Sequence, residues 1–514
     1  MAWRPGHVAS GAVPAHPRPS ALVEQAAWDF RLGTGLLREG RFAEAEGALR
    51  ASLGLRPRDP DALNNLGTAL WQQGRMNEAE TCYRQAVALR PDDFAIQNNL
   101  GNALWRQGRL DEAAPHYERA IAINPASPEA WMNLGVIQAD LGQDDRAVAS
   151  IQHALSLHPH WPEALDNLGS AHARSGRWST ALEYHEQALA LAANFPEARR
   201  NRALAYLKHG DFTRGWPEYE WRLACRTHQG FSSPLPRWDG RARTGTLILL
   251  HAEQGLGDTL QFIRYAEMVK ERVDRVIVFC PTPLARLVAR CPGVDGVCDR
   301  QDQTPAFDVH ASLLSLPAIL GTTLETIPCR MPYLSVDEST AEFWRARIRA
   351  LAPANQGRTF RIGVAWQGNP LNRIDRQRSF PLAALEPLAR IPGVRLVSLQ
   401  KGEGLGQIGP LCDQVPVDQI VPPGNDDRDL LDTAAAIGGL DLVVAPDSAV
   451  AHLAGGLGAP VWLALPRHPE WRWLAGRDDS PWYPTMKLFR QSAAGDWAGV
   501  FEAMASILKT RLTS

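Results

Sequence analysis

The segment Glu253–Thr259 carries residues that could bind an anion or move a proton. It follows a predicted strand and opens a predicted helix. Gly255 and Gly257 would let backbone N–H groups approach a ligand closely, and a helix N-terminus favours negative charge. Asp258 and the adjacent Thr259 stand at that terminus. Asp258 is therefore either a general base or, because aspartate is a preferred N-cap residue, a helix cap.

A second candidate site lies at Ala445–His452, where a buried strand ends, a tight turn follows and a helix begins. Asp447 and Ser448 occupy the turn, and the amide groups from Ala449 onward would face a bound anion. His452 follows Ser448 by four residues and so shares its helix face. The pattern predicts an anion site, with a core or capping histidine as the alternative interpretation of His452.

Arginines form a third candidate site. Arg373, Arg376 and Arg378 come shortly after a predicted strand and the turn Gly368-Asn369-Pro370. A guanidinium group binds an oxyanion through two parallel hydrogen bonds, so this segment could hold phosphate. A solvated basic loop is the alternative.

Aromatic residues accompany arginine in Pro469–Leu474, and Ser480–Pro484 adds two more rings. Such a group suits a flat ligand ring, although a structural tryptophan cluster fits equally well.

The order of the candidate sites is informative. A glycine loop comes first, and arginines and a helix-terminal site follow, which suits a base or acceptor in the first half and a nucleotide-diphosphate donor in the second.

The elements that must position these residues alternate between short apolar runs and helical patterns, which predicts open parallel sheets. Strands are predicted at Thr246–His251, Arg275–Cys280, Arg361–Trp366, Arg395–Leu399, Leu440–Ala445 and Val461–Leu465. Helices are predicted at Thr259–Lys270, Leu382–Arg390, Asp429–Ile437, Ala449–Leu457 and Trp497–Leu512. The charged segment Ser335–Gly357 ends in a predicted hinge, Pro353–Gly357. Two α/β halves in tandem favour a ligand cleft between them.

The first two-fifths of the chain repeat every 34 residues, the period of a helix–turn–helix repeat. Small residues recur inside the first helix at Gly33, Gly67, Gly101, Gly135, Gly169 and Ala203, and inside the second at Ala45, Ala79, Ala113, Ala147 and Ala181. The turn carries Gly40, Gly74, Gly108, Gly142, Gly176 and Gly210, and Pro57, Pro91, Pro125 and Pro159 close the units. Stacked repeats leave a concave groove that binds partners.

An asparagine recurs on one face of the first helix, at Asn65, Asn99, Asn133, Asn167 and Asn201. Each amide offers both donors and an acceptor, so this row could bind an extended peptide backbone. Packing between repeats is the alternative.

The overall composition fits a globular protein, with 45% hydrophobic residues in a chain of 514. A formal net charge of −2 argues against general binding to nucleic acid. The seven cysteines form no CxxC pair, and no apolar run has the length of a signal peptide or a membrane span. We expect a cytoplasmic protein, with peripheral attachment to the membrane as an alternative.

In combination, these motifs resemble a bacterial arrangement in which tetratricopeptide repeats (TPRs) precede a GT-B glycosyltransferase domain similar to glycosyltransferase family 9, the heptosyltransferase group. The layout is also similar to that of protein O-GlcNAc transferase. The resemblance rests on GDFTRGWPEYEWRL (210–223), HAEQGLGDTLQFIRYA (251–266), RSFPLAALEPL (378–388), DSAVAHLAGGLGAPVW (447–462), WRWLAGRDDSPWYP (471–484) and LFRQ (488–491).

The resemblance implies an α-helical TPR solenoid followed by an α/β region of two Rossmann-like lobes. It implies that Asp258 is the catalytic base, and that Asp447, Ser448, Ala449 and His452 bind the donor diphosphate. Arg378 would replace a lysine that holds donor phosphates in heptosyltransferases. No metal and no other cofactor are expected. The chain departs from the fused group after Gly-Asn-Pro and at Ala-Pro-Asp-Ser, and both departures bear on the identity of the donor.

These observations predict a lead-in at residues 1–25, about six repeats at 26–229, a linker at 230–245, an acceptor lobe at 246–350 and a donor lobe at 358–514. The expected function is transfer of a sugar from a nucleotide-diphosphate sugar to an acceptor hydroxyl, with the acceptor, protein or saccharide, recruited by the repeats. The alternatives are a non-catalytic scaffold with a degenerate transferase domain and a saccharide transferase of cell-envelope assembly.

Overall fold

The computed structural model describes residues 19–226, 230–351, 359–369, 375–420 and 429–513. Most of the predicted lead-in, the predicted hinge Pro353–Gly357 and the part of the basic segment from Pro370 to Ile374 lie outside these ranges. The chain divides into two compact units, Met1–Ala171 and His172–Ser514. The boundary falls inside the ninth helix, and each unit is described separately below.

Paired helices form the N-terminal part, as the 34-residue period predicts. The first unit contains α1 (Pro19–Arg38), α2 (Phe42–Leu55), α3 (Pro60–Gln72), α4 (Met76–Leu89), α5 (Phe94–Arg106), α6 (Leu110–Ile123), α7 (Pro128–Asp140), α8 (Asp144–Leu157) and most of α9 (Pro162–Arg174). The second unit continues with α10 (Trp178–Leu191), α11 (Pro196–Lys208) and α12 (Phe212–Tyr219). Each unit-closing proline stands two residues after the last residue of a helix.

The repeated glycines have two different physical roles. The six turn glycines adopt φ values between +75° and +79°, a left-handed conformation that other residues rarely adopt. Gly67 instead allows close packing, because a methyl carbon there would lie 2.6 Å from Cε1 of Tyr83 in the paired helix. Both roles confirm the predicted helix–turn–helix unit.

Neighbouring pairs in the first unit are also joined by repeated ionic contacts. Glu46 accepts hydrogen bonds from Arg75 at 2.7 and 2.8 Å and from the amide of Gln73 at 3.0 Å. One repeat later, Glu80 accepts from Arg109 at 2.6 Å and from Gln107 at 2.7 Å. The charged contacts between neighbouring pairs therefore recur with the same 34-residue period as the apolar core positions.

The second unit contains two parallel sheets. The first has the order β3-β2-β1-β4, formed by β1 (Arg243–His251), β2 (Val273–Phe279), β3 (Gly296–Cys298) and β4 (Val309–Ser312). The second has the order β10-β9-β8-β5-β6-β7, formed by β5 (Phe360–Val364), β6 (Val394–Ser398), β7 (Val417–Gln419), β8 (Leu442–Pro446), β9 (Val461–Leu465) and β10 (Met486–Arg490). All six predicted strands are present within three residues of their predicted ends.

Helices connect these strands. They are α13 (Leu256–Phe262), α14 (Ala266–Lys270), α15 (Thr282–Val288), α16 (Leu316–Ile319), α17 (Glu338–Arg349), α18 (Asp375–Arg378), α19 (Glu386–Ala389), α20 (Leu431–Ile437), α21 (Ala449–Gly456) and α22 (Trp497–Thr513). Two predicted helices are interrupted. A 3₁₀ turn at Ile263–Tyr265 divides the first, and the second is a 3₁₀ turn at Leu382–Leu385 followed by α19. The proline at position 387 lacks an amide hydrogen and so fits only the first turn of α19.

The last helical pair shares its core with the sheets. Phe212 and Trp216 of α12 belong to the same buried cluster as strands β1 and β2. The ring of Trp216 lies edge-on to Trp471 at 5.2 Å and to Phe262 at 6.2 Å between centroids. The pair α11–α12 is therefore part of the α/β core. Among the helices in the described ranges, none is both long enough and apolar enough to cross a bilayer.

Replacing Trp216 with alanine should destabilise the second unit by about 3–5 kcal/mol, because the side chain is 2% exposed and its removal leaves a large cavity. The measurement is urea unfolding followed by intrinsic fluorescence. Phe343→Ala is the control, since Phe343 is 58% exposed in the same unit and should change stability by less than about 0.5 kcal/mol. Equal effects of the two substitutions would contradict this account of the core.

Candidate functional site

The glycine loop connects β1 to α13 and is held in a defined shape. Asp258 accepts a hydrogen bond from the backbone N–H of Gly255 at 2.8 Å, but Gly255 holds the N-cap position and Asp258 is the third residue of α13. Gln254 adopts a φ of +64°, a rare backbone conformation for a residue other than glycine. Thr259 is buried behind the loop. The loop is therefore already shaped, with Gly255 exposed at its tip.

A buried ion pair stabilises the start of this loop. Arg222, which follows α12, donates two hydrogen bonds of 2.9 Å to the carboxylate of Glu253. The two side chains are only 3% and 4% exposed. Ser312, at the end of β4, donates a further bond to Glu253 at 2.6 Å. Buried ions need such complete pairing, and loss of one partner typically costs about 3–5 kcal/mol.

The second candidate site begins where β8 ends. Asp447 is buried, and its Oδ1 lies 3.7 Å from Nε2 of His452. Nδ1 of His452 forms a 2.8 Å hydrogen bond with the hydroxyl of Tyr483, and the imidazole stacks on Trp473. Burial acts to raise the pKa of Asp447, but the contact with His452 and the charge of Arg378 outweigh burial and lower the pKa.

Ser448 and Ala449 are half-buried at the start of α21. The hydroxyl oxygen of Ser448 is buried and has no hydrogen-bond partner among the described residues. Ser448 therefore stands at the N-cap position without capping the helix through its side chain. Such a hydroxyl, next to the free amides of a helix N-terminus, can donate to an anionic oxygen.

The glycine loop and the start of α21 are in direct proximity. A methyl carbon at Gly257 would lie 2.8 Å from Cδ2 of His452, so only glycine allows this approach without a shift. The sequence predicts both motifs but not their contact, because they are almost 200 residues apart. The structure thus brings Asp258, Gly257 and His452 to one place.

Arg378 reaches the same region from α18. Its Nε donates to Asp375 at 3.2 Å, and its charge acts on Asp447. Gly368 lies beside it, since a methyl carbon there would be 3.0 Å from Nη2 of Arg378. Arg373 and the side chain of Arg376 lie outside the described residues. Of the three arginines, Arg378 is the one that the structure places beside the α21 site.

Arg472, the arginine of the aromatic segment Pro469–Leu474, joins the two sheets of the second unit. It donates one hydrogen bond to Asp258, which follows β1, and another of 2.6 Å to Glu470, which follows β9. A third bond of 2.7 Å goes to Gln261 in α13. Trp471 and Trp473 beside it are buried. The aromatic segment is therefore a structural cluster, as one of its two interpretations predicts.

Lys208 completes the cluster from the last helical pair. Its ammonium group donates to the backbone oxygens of Pro469 at 2.7 Å and Glu470 at 3.1 Å. Burial lowers the pKa of Lys208 to about 7, and Arg490 adds to this effect while Glu470 and Asp447 oppose it. Nothing in the repeat pattern signals this role, since the position is an ordinary helix end.

Four members of the asparagine row donate to the preceding repeat, and Asn201 contacts its own helix. The side-chain amide of Asn99 donates to Oδ1 of Asn64 at 2.9 Å, and that of Asn133 donates to Oδ1 of Asn98 at 3.2 Å. Asn65 donates to Thr34, Asn167 to the sulfur of Met132, and Asn201 accepts from Arg200. These bonds favour the packing interpretation, and peptide binding by the row stays a prediction. In the described ranges, no group of three or more metal-ligating side chains is arranged to hold an ion.

Stability should depend on pH through His251 at the end of β1. Burial, with a smaller effect from His310, lowers the pKa of His251 to about 4, whereas the unfolded chain titrates near 6.5. Below about pH 6.5 the unfolded state therefore binds the proton first, and stability is lost progressively down to about pH 4. One such proton is worth at most about 1.4 kcal/mol per pH unit. Urea unfolding from pH 7 to 4 should show a shallower loss in His251→Gln than in the wild type. Parallel curves would contradict this assignment.

The family of tetratricopeptide repeats matches residues 30–94, 69–128 and 98–160, and a second tetratricopeptide-repeat family matches residues 164–210. Protein FlbA of Caulobacter vibrioides is 29% identical over 320 residues, which cover 57% of this chain and 52% of that protein. The chain thus spans about half the length of this relative.

Among solved structures, PilF of Pseudomonas aeruginosa is 19% identical, with a TM-score of 0.35, and the match covers 40% of this chain and 91% of PilF. MamA from Desulfovibrio magneticus is 25% identical with a TM-score of 0.32, covering 33% of this chain and 96% of MamA. YrrB is 19% identical with a TM-score of 0.32, and the match covers 35% of this chain and 96% of YrrB. The two family matches show that the N-terminal part of the chain, to about residue 210, consists of tetratricopeptide repeats.

Proposed function

We propose that the second unit transfers a sugar from a nucleotide-diphosphate sugar to an acceptor hydroxyl, and that the repeats bind a protein partner. The observation that carries this proposal is the approach of the glycine loop to the start of α21, where only a glycine at position 257 fits against His452. An anion-binding helix terminus and a carboxylate from a separate sheet then face one reaction centre.

The donor side of this centre consists of groups that suit a diphosphate. The free amides at the start of α21 and the hydroxyl of Ser448 are hydrogen-bond donors, and Arg378 contributes a positive charge. As the bond between sugar and phosphate breaks, these groups would stabilise the charge on the departing diphosphate. In this proposal Arg378 and the helix terminus supply the positive charge, so no metal takes part. The fold of the unit, in the proposal, is that of a two-lobed GT-B enzyme.

The acceptor side consists of carboxylates around Arg472. A proton must leave the acceptor hydroxyl before or during its attack on the anomeric carbon, and a positioned carboxylate can take it. The resemblance implies Asp258 for this role. Tetratricopeptide repeats stack to form binding surfaces, so we propose that the repeats deliver a protein that is either the acceptor or its carrier. We place the reaction in the cytoplasm, where free thiols persist.

One observation favours a second candidate function, a scaffold that binds a nucleotide sugar without turnover. Both carboxylate oxygens of Asp258 already accept hydrogen bonds, one from Arg472 and one from Gly255. Protonation of Asp258 would remove the negative charge that pairs with Arg472, so a base role would weaken this ion pair. Such a protein would bind the donor through the same groups but would not transfer the sugar.

Donor binding tests the anion site that both candidates share. We expect one class among UDP, GDP, ADP, CMP and dTDP sugars to raise the melting temperature and to bind measurably by calorimetry. Arg378→Ala should weaken that binding by about 10- to 100-fold, because a charged hydrogen bond is lost. Arg390→Ala is the control, since Arg390 is 75% exposed in the same unit. Equal affinity in the wild type and the Arg378 variant would contradict the proposed donor site.

Turnover separates the two candidates. The wild-type protein is incubated with the donor that binds and with protein or saccharide acceptors, and release of the nucleotide diphosphate is measured. Release that depends on the acceptor supports the transferase. Tight binding with no release in any combination supports the scaffold instead.

A further inference from the structure

Two carboxyl groups share one guanidinium where the two sheets of the second unit approach each other, and a third carboxyl group lies near them. Arg472 bridges Asp258 and Glu470, and Asp447 is close enough to act on the charge of Glu470. Strands β8 and β9 are parallel neighbours, so the segments that follow them, with Asp447 and Glu470, lie at the same edge of the sheet. Glu470 thus lies near Asp258, which shares Arg472 with it, and near Asp447 at the proposed diphosphate site.

The two carboxylates that share Arg472 differ in their availability. Both oxygens of Asp258 accept hydrogen bonds, and its side chain is 16% exposed. Glu470 accepts the Arg472 bond through Oε1, and its side chain is 29% exposed. Within the described ranges, Oε2 of Glu470 accepts no hydrogen bond. Glu470 therefore presents an oxygen that a substrate hydroxyl can reach without breaking an existing contact.

The charges around Glu470 set its protonation. Arg472 faces it from the same turn, Asp258 from α13, Asp447 from the end of β8, and the ammonium of Lys208 contacts its backbone oxygen from α11. Burial is the largest influence, and together with Asp447 and Asp258 it outweighs Arg472 and raises the pKa of Glu470 to about 7. A carboxyl group with such a value is suited to exchange protons near neutral pH.

We infer that Glu470 takes the proton from the acceptor hydroxyl, while Asp258 holds Arg472 in position. This inference rests on the proposed transferase function. The proton of the hydroxyl passes to Oε2 of Glu470, and the acceptor oxygen forms a bond to the anomeric carbon. The bond from that carbon to the phosphate oxygen breaks, and its electron pair leaves with the diphosphate. Glu470 then returns the proton to solvent.

The test compares Glu470→Gln with Asp258→Asn and with Glu386→Gln. Glu386 is the control, because it is also ion-paired with an arginine but lies on α19 away from the cluster. Glu470→Gln should lower kcat about 10²- to 10⁴-fold and leave the affinity for the nucleotide diphosphate unchanged. The rise of kcat/KM with pH, centred near pH 7 in the wild type, should persist with a lower midpoint in Asp258→Asn and vanish in Glu470→Gln. Undiminished turnover in Glu470→Gln, or loss of the pH dependence in Asp258→Asn instead, would overturn the inference.

The protonation of Glu470 can also be measured without substrate, independently of turnover. In protein labelled with ¹³C-glutamate, infrared spectroscopy should show a protonated carboxyl band that disappears around pH 7 and is missing in Glu470→Gln. A Glu470 carboxyl that is fully ionised well below pH 6 would overturn the inference even if the wild type transfers sugar. A wild type that binds no donor and turns none over would instead contradict the proposed function, and the catalytic role of Glu470 with it.

Discussion

A buried guanidinium must be neutralised, and the second unit satisfies this requirement for Arg472 with carboxylates from both of its sheets. Asp258 comes from the loop after β1 and Glu470 from the segment after β9. Because an unpaired buried charge is costly, the two loops are held at one distance from each other. The approach of Gly257 to His452 and the position of the proposed reaction centre both depend on that distance.

Buried basic side chains of the last helical pair and its extension are also satisfied by groups that belong to the α/β part of the second unit. Arg222 and Lys208 both belong to the last helical pair or its immediate extension. The first neutralises Glu253 below the glycine loop, and the second donates to the backbone around Glu470. A basic side chain from the last helical pair or its extension therefore holds each of the two candidate segments, the glycine loop and the segment after β9. Phe212 and Trp216 add an apolar contact to these polar ones.

The sequence predicts the repeats, six strands and the two loop motifs because each is a local pattern. The 34-residue period repeats a core position, a turn glycine and a proline, and short apolar runs mark the six strands. Strand β10 also has five residues but was not predicted, because Lys487 interrupts its apolar run. Strands such as Gly296–Cys298 are too short to give a periodic signal. Lys208 and the contacts of Arg472 and Glu470 were missed for a different reason. Asp258 is 214 residues from Arg472 and Pro469 is 261 residues from Lys208, so only the folded chain shows that Asp258 and Glu470 share one guanidinium.

The place of the last helical pair in the α/β core has a consequence for how such a chain can change its length. A solenoid gains or loses units by duplication or deletion of one repeat, and each unit contacts mainly its neighbours. Here the pair α11–α12 cannot be removed without exposing Trp216 and leaving Glu253 without Arg222. Variation in repeat number is therefore confined to the units that precede this pair, and a longer or shorter array would leave the proposed reaction centre unaltered.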